Sequence, residues 1–389
     1  MRIWPVALGL AVVVPWFSLM DGDHRKAEED LGSFYSFMLK VDFPAAGKSI
    51  EEAVRLWPEN SRYYTWRAYW KSQNLPPQCL RIGSALDSAG ASAASDAAAD
   101  YRKALELNPR DAVAHHNLAW LEHLRGNDAS ARAEWERAAA IDPDNAIFHI
   151  SLGVFLEENS DAAGAANEYA KAVQISPSTL DSPFFARYRA RSPQAADALV
   201  VRCIREMEAA GQDQSDPILN AHLGKLYLYH QETGRAAAAL ELAAERLPNL
   251  PLVWLNLGDV FLAQGNTEAA MNCYEKSRTL NGGLPAPWLR LAQIWQSRGV
   301  KEEEKKSFEA TVQRWGHRRA VTASQNNRLY LGRVLQQIDD LLPTTLVWYA
   351  TPCEASAAYR ALAELSPENR FYRLRINTCE EIPAPHKGF

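Results

Sequence analysis

Apolar positions follow two patterns along this chain, one continuous and one periodic. Residues 3–20, IWPVALGLAVVVPWFSLM, form an uncharged run of 18. As a helix at 1.5 Å per residue, such a run covers about 27 Å, close to the thickness of a bilayer's hydrocarbon core. Trp4 and Trp16 sit near its two ends, where interfacial aromatics belong, and Pro5 suits a first helical turn while Pro15 kinks or ends the helix. The run therefore reads as a transmembrane helix or signal anchor over 1–21. A cleaved signal peptide is the competing reading, although only Arg2 precedes the run and no A-x-A site precedes Asp21. Arg2 on one side and His24, Arg25 and Lys26 on the other leave the orientation undecided by charge. No second stretch is long and apolar enough to span, so the chain reads as single-pass.

Beyond that run, apolar residues recur with a period of 34. Pro109, Pro143 and Pro177 keep this spacing, as do Tyr101, Trp135 and Tyr169, and Ala104, Ala138 and Ala172. A second in-phase block holds Gly224 and Gly258, Trp254 and Trp288, and Leu240, Tyr274 and Phe308. Within the period Trp or Leu comes early and Gly or Ala stands eighth. Ala stands twentieth and twenty-seventh, an aromatic twenty-fourth and Pro thirty-second. Small residues at the eighth, twentieth and twenty-seventh places let two helices cross closely, and the aromatic fills the space beside the crossing. Proline near the end stops the second helix. This pattern resembles the tetratricopeptide (TPR) repeat. The copies are Ala112–Asn145, Ala146–Thr179, Pro217–Leu250, Pro251–Leu284 and Pro285–Arg318, with weaker ones at Ala27–Asn60 and around Tyr101.

The resemblance implies an all-α fold, a right-handed TPR α-solenoid of antiparallel helix pairs behind the N-terminal helix. Single hairpins cannot bury their apolar faces, so copies stack and leave a concave groove. The period breaks at three intervals. Ile50 to Tyr101 and Phe308 to Tyr359 are each 51 residues, which predicts an extra or lengthened helix, and Tyr169 to Leu240 is 71. Within the last, Thr179–Ser192 reads as a packed loop, because Phe184, Phe185 and Tyr188 need burial, and a helix follows from about Gln194 to Ala210. Ser88–Ala99 is low in complexity and reads as a flexible connection. The expected organisation is irregular helices over 22–94, a first block over 95–179, a non-TPR segment over 180–216 and a second block over 217–318. A helical cap over 319–389 would hold one helix from Ala320 to Leu342 and another from Glu354 to Leu365.

Composition narrows the function. The 389 residues carry 42 Lys and Arg against 47 Asp and Glu, a net charge of −5, so bulk charge cannot hold nucleic acid. Sixty-one alanines and 12 tryptophans fit helices packed closely around large fillers. Gly47-Lys48-Ser49 imitates a phosphate loop, but Asp42 stands where its first glycine is required. His115, His116, His123 and His149 match no zinc spacing; His115 and His149, both at the fourth place, read as core or interface residues. No hydrolase, protease or dinucleotide motif occurs, so no catalytic residue, cofactor or metal is expected. Cys353 and Cys379 flank the last helix and could staple the cap in an oxidising compartment, free thiols being the alternative.

The groove is the remaining candidate. In TPR geometry, inward places of the first helices supply His116, Trp120, His123, Glu157, Glu158, Lys225, Tyr229, Asp259, Gln293 and Gln296. Aromatic, amide and charged groups together suit an extended peptide, or a sugar chain stacked on Trp120 and Tyr229. The carboxylate-clamp kind of TPR is not matched: Asn117 fits one place, but Ile147 and Ser151 stand where a basic pair is needed. Residues 115–127, 142–158 and 176–193, with LPPQC at 75–79, resemble TPR tails of bacterial O-antigen ligase or polymerase-type membrane proteins, whose catalytic membrane domain has no counterpart here. That resemblance implies a non-catalytic scaffold in envelope polysaccharide assembly or export, anchored in the bacterial inner membrane with its repeats in the periplasm. Its partners would be a polymerase, ligase or export component. An adaptor for a secretion or pilus machine and a direct glycan-binding module are the alternatives.

Overall fold

The computed structural model describes residues 22–39, 42–73, 88–181, 183–211, 216–325, 353–369 and 372. Among them every regular element is helical, with no strand. The chain divides into two compact units, Met1–Asp142 and Pro143–Phe389.

The first unit is three antiparallel hairpins: α1 (Gly22–Leu39) with α2 (Phe43–Leu56), α3 (Ser61–Gln73) with α4 (Ser88–Leu107), and α5 (Ala112–Leu124) with α6 (Asp128–Ile141). The core of the first hairpin is aromatic, with Phe34, Tyr63, Trp66 and Tyr69 packed around Ala46, Ile50 and Ala53. Ser88–Ala99, expected as a flexible connection, is instead the first half of α4. Ala94, Ala97, Ala98, Tyr101 and Ala104 recur in steps of three and four, and all are fully buried. Alanine is the strongest helix former, and here its low complexity hides one apolar stripe. Asp111 caps α5 by accepting from the Ala114 amide at 3.0 Å, and it also accepts from the Thr65 hydroxyl at 2.9 Å, tying α3 to the third hairpin.

The second unit opens with the hairpin α7 (Ala146–Glu158) and α8 (Ala162–Ile175). A 3-10 turn, Pro177–Asp181, and a short helix α9 (Pro183–Arg191) follow where a packed loop was expected. The burial argument holds for Phe185 and Tyr188, 1% and 4% exposed, but helical spacing i and i+3 is what puts both on one face. Helix α10 (Pro193–Ala210) packs on α8 and on α11 (Pro217–Tyr229). Three further hairpins then pair α11 with α12 (Thr233–Arg246), α13 (Pro251–Ala263) with α14 (Thr267–Leu280), and α15 (Pro285–Arg298) with α16 (Lys301–Gln325). Pro217, Pro251 and Pro285 each occupy the first turn of their helix, where the missing amide N–H costs nothing. Lengthening of α16 to 25 residues contributes to the second 51-residue interval. Helix α17 (Cys353–Leu365) lays Ala358, Ala361 and Leu362 against Leu289, Ala292 and Phe308.

One turn geometry recurs in all five regular copies. The fifteenth place, between the two helices of a hairpin, is left-handed: Gly126 (φ 79°), Ser160 (63°), Gln231 (65°), Gly265 (80°) and Gly299 (71°). The expected cap helix beyond Gln325, the Cys353–Cys379 bridge and the apolar run 3–20 lie outside the described residues and side chains. Among the described residues no helix is long and apolar enough to cross a membrane.

Candidate functional site

Three of the expected groove residues lie on α5, and the structure turns two of them inward to the hairpin core. His116 is fully buried, its Nδ1 3.3 Å from the Asn117 amide oxygen, and burial lowers its pKa to about 4 against that hydrogen bond. Trp120 is 7% exposed and stacks edge-on against Trp135 of α6 at 4.9 Å. Neither presents a surface to a ligand, which corrects the expectation for both. His123 is half-buried at the end of the same cluster, 6.0 Å from the Trp135 ring, and its Nδ1 is 2.7 Å from Asp128. These residues close the α5/α6 hairpin.

In the second unit, contacts engage Glu157, Lys225, Tyr229 and Asp259 with neighbouring elements. Glu157 on α7 accepts from the Tyr169 hydroxyl at 2.8 Å and from Arg191 of α9 at 3.2 Å. The Tyr169 ring meets Tyr188 at 4.9 Å, Tyr188 meets Phe185 at 5.9 Å, and Phe185 stands edge-on to Tyr229 at 5.8 Å. Arg189 caps the other side of Tyr229, 5.1 Å from the ring centre. A continuous aromatic line thus runs from α8 across α9 to α11.

An ionic line continues it. Lys225, one helical turn before Tyr229, donates to Asp181 of the 3-10 turn at 3.0 Å. Asp259 on α13 accepts from the Tyr274 hydroxyl at 2.8 Å and from Arg290 of α15 at 2.9 Å. Burial opposes the Lys225 charge, yet the carboxylates of Asp181 and Asp259 outweigh it and hold its pKa above the usual lysine value. Burial and then Asp259 likewise push the Tyr274 hydroxyl well above its ordinary range, so it stays a donor. Lys225 was expected to face a ligand, but it is 7% exposed and engaged within the fold. Along this line Arg189 and Arg191 are exposed and Tyr229 and Arg290 partly so; of the other expected residues, Gln293 and Gln296 are exposed and Glu158 is half-buried.

Arg189, Arg191, Arg290 and Asp181 were not among the sequence candidates. A signal existed for the first two. Once Pro183–Arg191 is read as a helix with Phe185 and Tyr188 inward, Arg189 and Arg191 after them fall on its open side. Asp181 and Arg290 pair with residues 44 and 31 positions away, which spacing alone does not reveal.

Among the described residues no three His, Cys, Asp or Glu side chains group as metal ligands. Cys203 and Cys273 are buried thiols whose pKa values burial raises to about 12 and about 11, far from a reactive thiolate.

Comparison with known proteins agrees with this architecture. Two tetratricopeptide-repeat family models match, one over residues 100–133 and the other over residues 129–178 and 222–282. Neither model describes an enzyme family. No curated protein matches the chain. Among solved structures, a tetratricopeptide repeat protein from Parabacteroides merdae is 13% identical and aligns over 78% of this chain and 100% of its own, with a TM-score of 0.38. The pilF protein of Pseudomonas aeruginosa is 18% identical over 71% of this chain and 95% of its own, at 0.33. YrrB, described as a TPR protein with an unusual peptide-binding site, is 15% identical over 62% of this chain and 97% of its own, at 0.26. By the family models, residues 100–178 and 222–282 are tetratricopeptide repeats, and among the described residues every regular element is helical.

Proposed function

We propose that this chain is a non-catalytic scaffold that captures an extended segment of a partner protein along the inner helices of its second unit. One observation carries the reading. The line from Glu157 through Tyr229 to Arg290 combines aromatic faces, amides and both signs of charge, and hydroxyls of the second helices (Tyr169, Tyr274) hold its carboxylates in place. Side chains locked by their neighbours bind with little further loss of rotamer freedom, which is what a peptide-recognition surface needs. TPR proteins as a class mediate protein–protein interactions.

Within that reading, the apolar run 3–20 tethers the array to a membrane, with the repeats on the periplasmic side. The partner in this reading is an envelope polysaccharide polymerase, ligase or export component, which the likeness of residues 115–127, 142–158 and 176–193 to O-antigen ligase tails supports. The test is photo-crosslinking in cells from Gln293 and Gln296, with Glu241, an exposed residue of α12, as control. Partner-specific adducts from the two glutamines and none from Glu241 are expected. Glycosyltransferases or polymerases among the adducts support the polysaccharide role, whereas secretion or pilus components replace it. Adducts that do not depend on position overturn the groove itself.

A further inference from the structure

The histidines at the fourth place of two successive repeats make the same contacts. His115 places Nδ1 against the Glu134 carboxylate and Nε2 at 3.0 Å from the Pro109 carbonyl. His149 places Nδ1 at 2.6 Å from Glu168 and Nε2 at 2.9 Å from the Pro143 carbonyl. In each case the carboxylate lies 19 residues after the histidine and the carbonyl 6 before it, and both rings are buried. A neutral imidazole has one N–H and one bare nitrogen, so it cannot donate to two acceptors. Each set is satisfied only with one more proton, giving an imidazolium that donates to a carboxylate and a carbonyl.

The other repeats supply an internal control. Trp254 holds the fourth place of its copy and donates its indole N–H to the Pro248 carbonyl at 2.8 Å, again six residues back. An indole has a single donor, and the twenty-third place opposite it is Cys273. Trp288 is matched in the same way with Ser307, and Asn220 with Ala239. Glutamate stands at the twenty-third place only in the two copies that carry histidine. The carboxylate therefore accompanies the second ring donor and is not a general feature of the hairpin.

We propose that the His115–Glu134 pair is a proton-binding latch, which tightens the α5/α6 hairpin on the acid side of neutrality and loosens it above, and that His149–Glu168 repeats its geometry in the α7/α8 hairpin. The groups facing His115 are Glu134 and Arg137 from α6 and the Pro109 carbonyl from the α4 side. Those facing His149 are Glu168 and Lys171 from α8 and the Pro143 carbonyl. Arg137 and Lys171 each bond the same glutamate as the histidine, so they orient it and partly offset its charge. For His115 burial disfavours the charged ring, but the Glu134 and Pro109 hydrogen bonds outweigh it and the pKa is raised. A raised value means stability fully present below the unfolded pKa near 6.5 and lost as pH rises through the folded one.

The inference is independent of what the groove binds, and urea unfolding of the full chain from pH 6 to 9 tests it. The folding equilibrium is expected to weaken with rising pH, by up to about tenfold per unit for each proton released. A variant combining His115→Trp, Glu134→Ser, His149→Trp and Glu168→Ser, built on the Trp288/Ser307 arrangement, is expected to remove that slope. Nitrogen-15 spectra of the histidine rings in the unsubstituted protein serve as a second readout, and both nitrogens of His115 are expected to carry protons at pH 6. A neutral tautomer at His115 at pH 6, or a slope that the fourfold variant leaves intact, overturns the proposal.

Discussion

Gly258 passes so close beneath Tyr274 that a Cβ on the glycine would stand 2.5 Å from the ring's Cε1. The relation repeats at Gly153 under Tyr169 (2.8 Å) and Gly224 under Leu240 (2.5 Å), always the eighth place against the twenty-fourth. Tyr274 is fully buried and its hydroxyl is held by Asp259, so the ring cannot swing aside. Gly258→Ala is expected to cost about 1–3 kcal/mol through overpacking, despite alanine's better helix propensity. Urea denaturation followed by circular dichroism measures this, and an unchanged midpoint would show that the crossing is not rigid.

The left-handed fifteenth place predicts the opposite sign at two positions. Ser160 and Gln231 take positive φ, where an L side chain costs roughly 1–2 kcal/mol. Glycine relieves that strain and gives back part of the gain as unfolded-chain entropy. Ser160→Gly and Gln231→Gly are each expected to stabilise by about 0.5–1 kcal/mol. Gly265→Ala should lose a comparable amount, for conformational reasons alone, since a Cβ there meets nothing within 4 Å.

His116 sets an acid limit. Its pKa falls to about 4 through burial, so between about 6.5 and 4 the unfolded chain takes up a proton that the folded one refuses. Its contribution to stability is intact above the unfolded pKa and is lost as pH falls, on the order of 3 kcal/mol over the whole range. His116→Gln should flatten the acid limb of a plot of stability against pH between those values. An equally steep limb in the variant would assign the loss to carboxylates instead.

Asp259 holds three partners of different reach. It accepts from Tyr274 and Arg290 and lies close enough to Lys225 to support its charge. Asp259→Asn keeps the shape but removes the charge, and is expected to destabilise by about 1.5–3 kcal/mol. Arg191→Gln, which removes an exposed arm from Glu157, is expected to cost less than about 1 kcal/mol. Thermal melts of the two variants side by side check that ordering.

Most of the hairpins were legible in advance because close helix crossings demand small residues at fixed intervals, and Gly258, Ala270 and Tyr274 report such a crossing directly. Ser88–Ala99 was misread for the complementary reason. A run of alanine and serine looks the same in composition whether it is loose or helical, and only Tyr101 and Ala104 beyond it extend its buried stripe. Phe185 and Tyr188 in Thr179–Ser192 are buried as expected, yet they lie on a helix of only nine residues that proline and serine flank on both sides.

By itself the sequence determined the period, the two-helix unit and the eighth-against-twenty-fourth packing, since these follow from steric demands local to one hairpin. Tertiary structure decided which polar side chains are open. His116, Trp120 and Lys225 occupy places that face inward in a regular array, and here neighbouring packing buries them. For Lys225, Asp181 supplies a partner from a turn outside the period. Exposure depends on what packs over a residue, and where that covering comes from an irregular insertion, no repeat register can specify it.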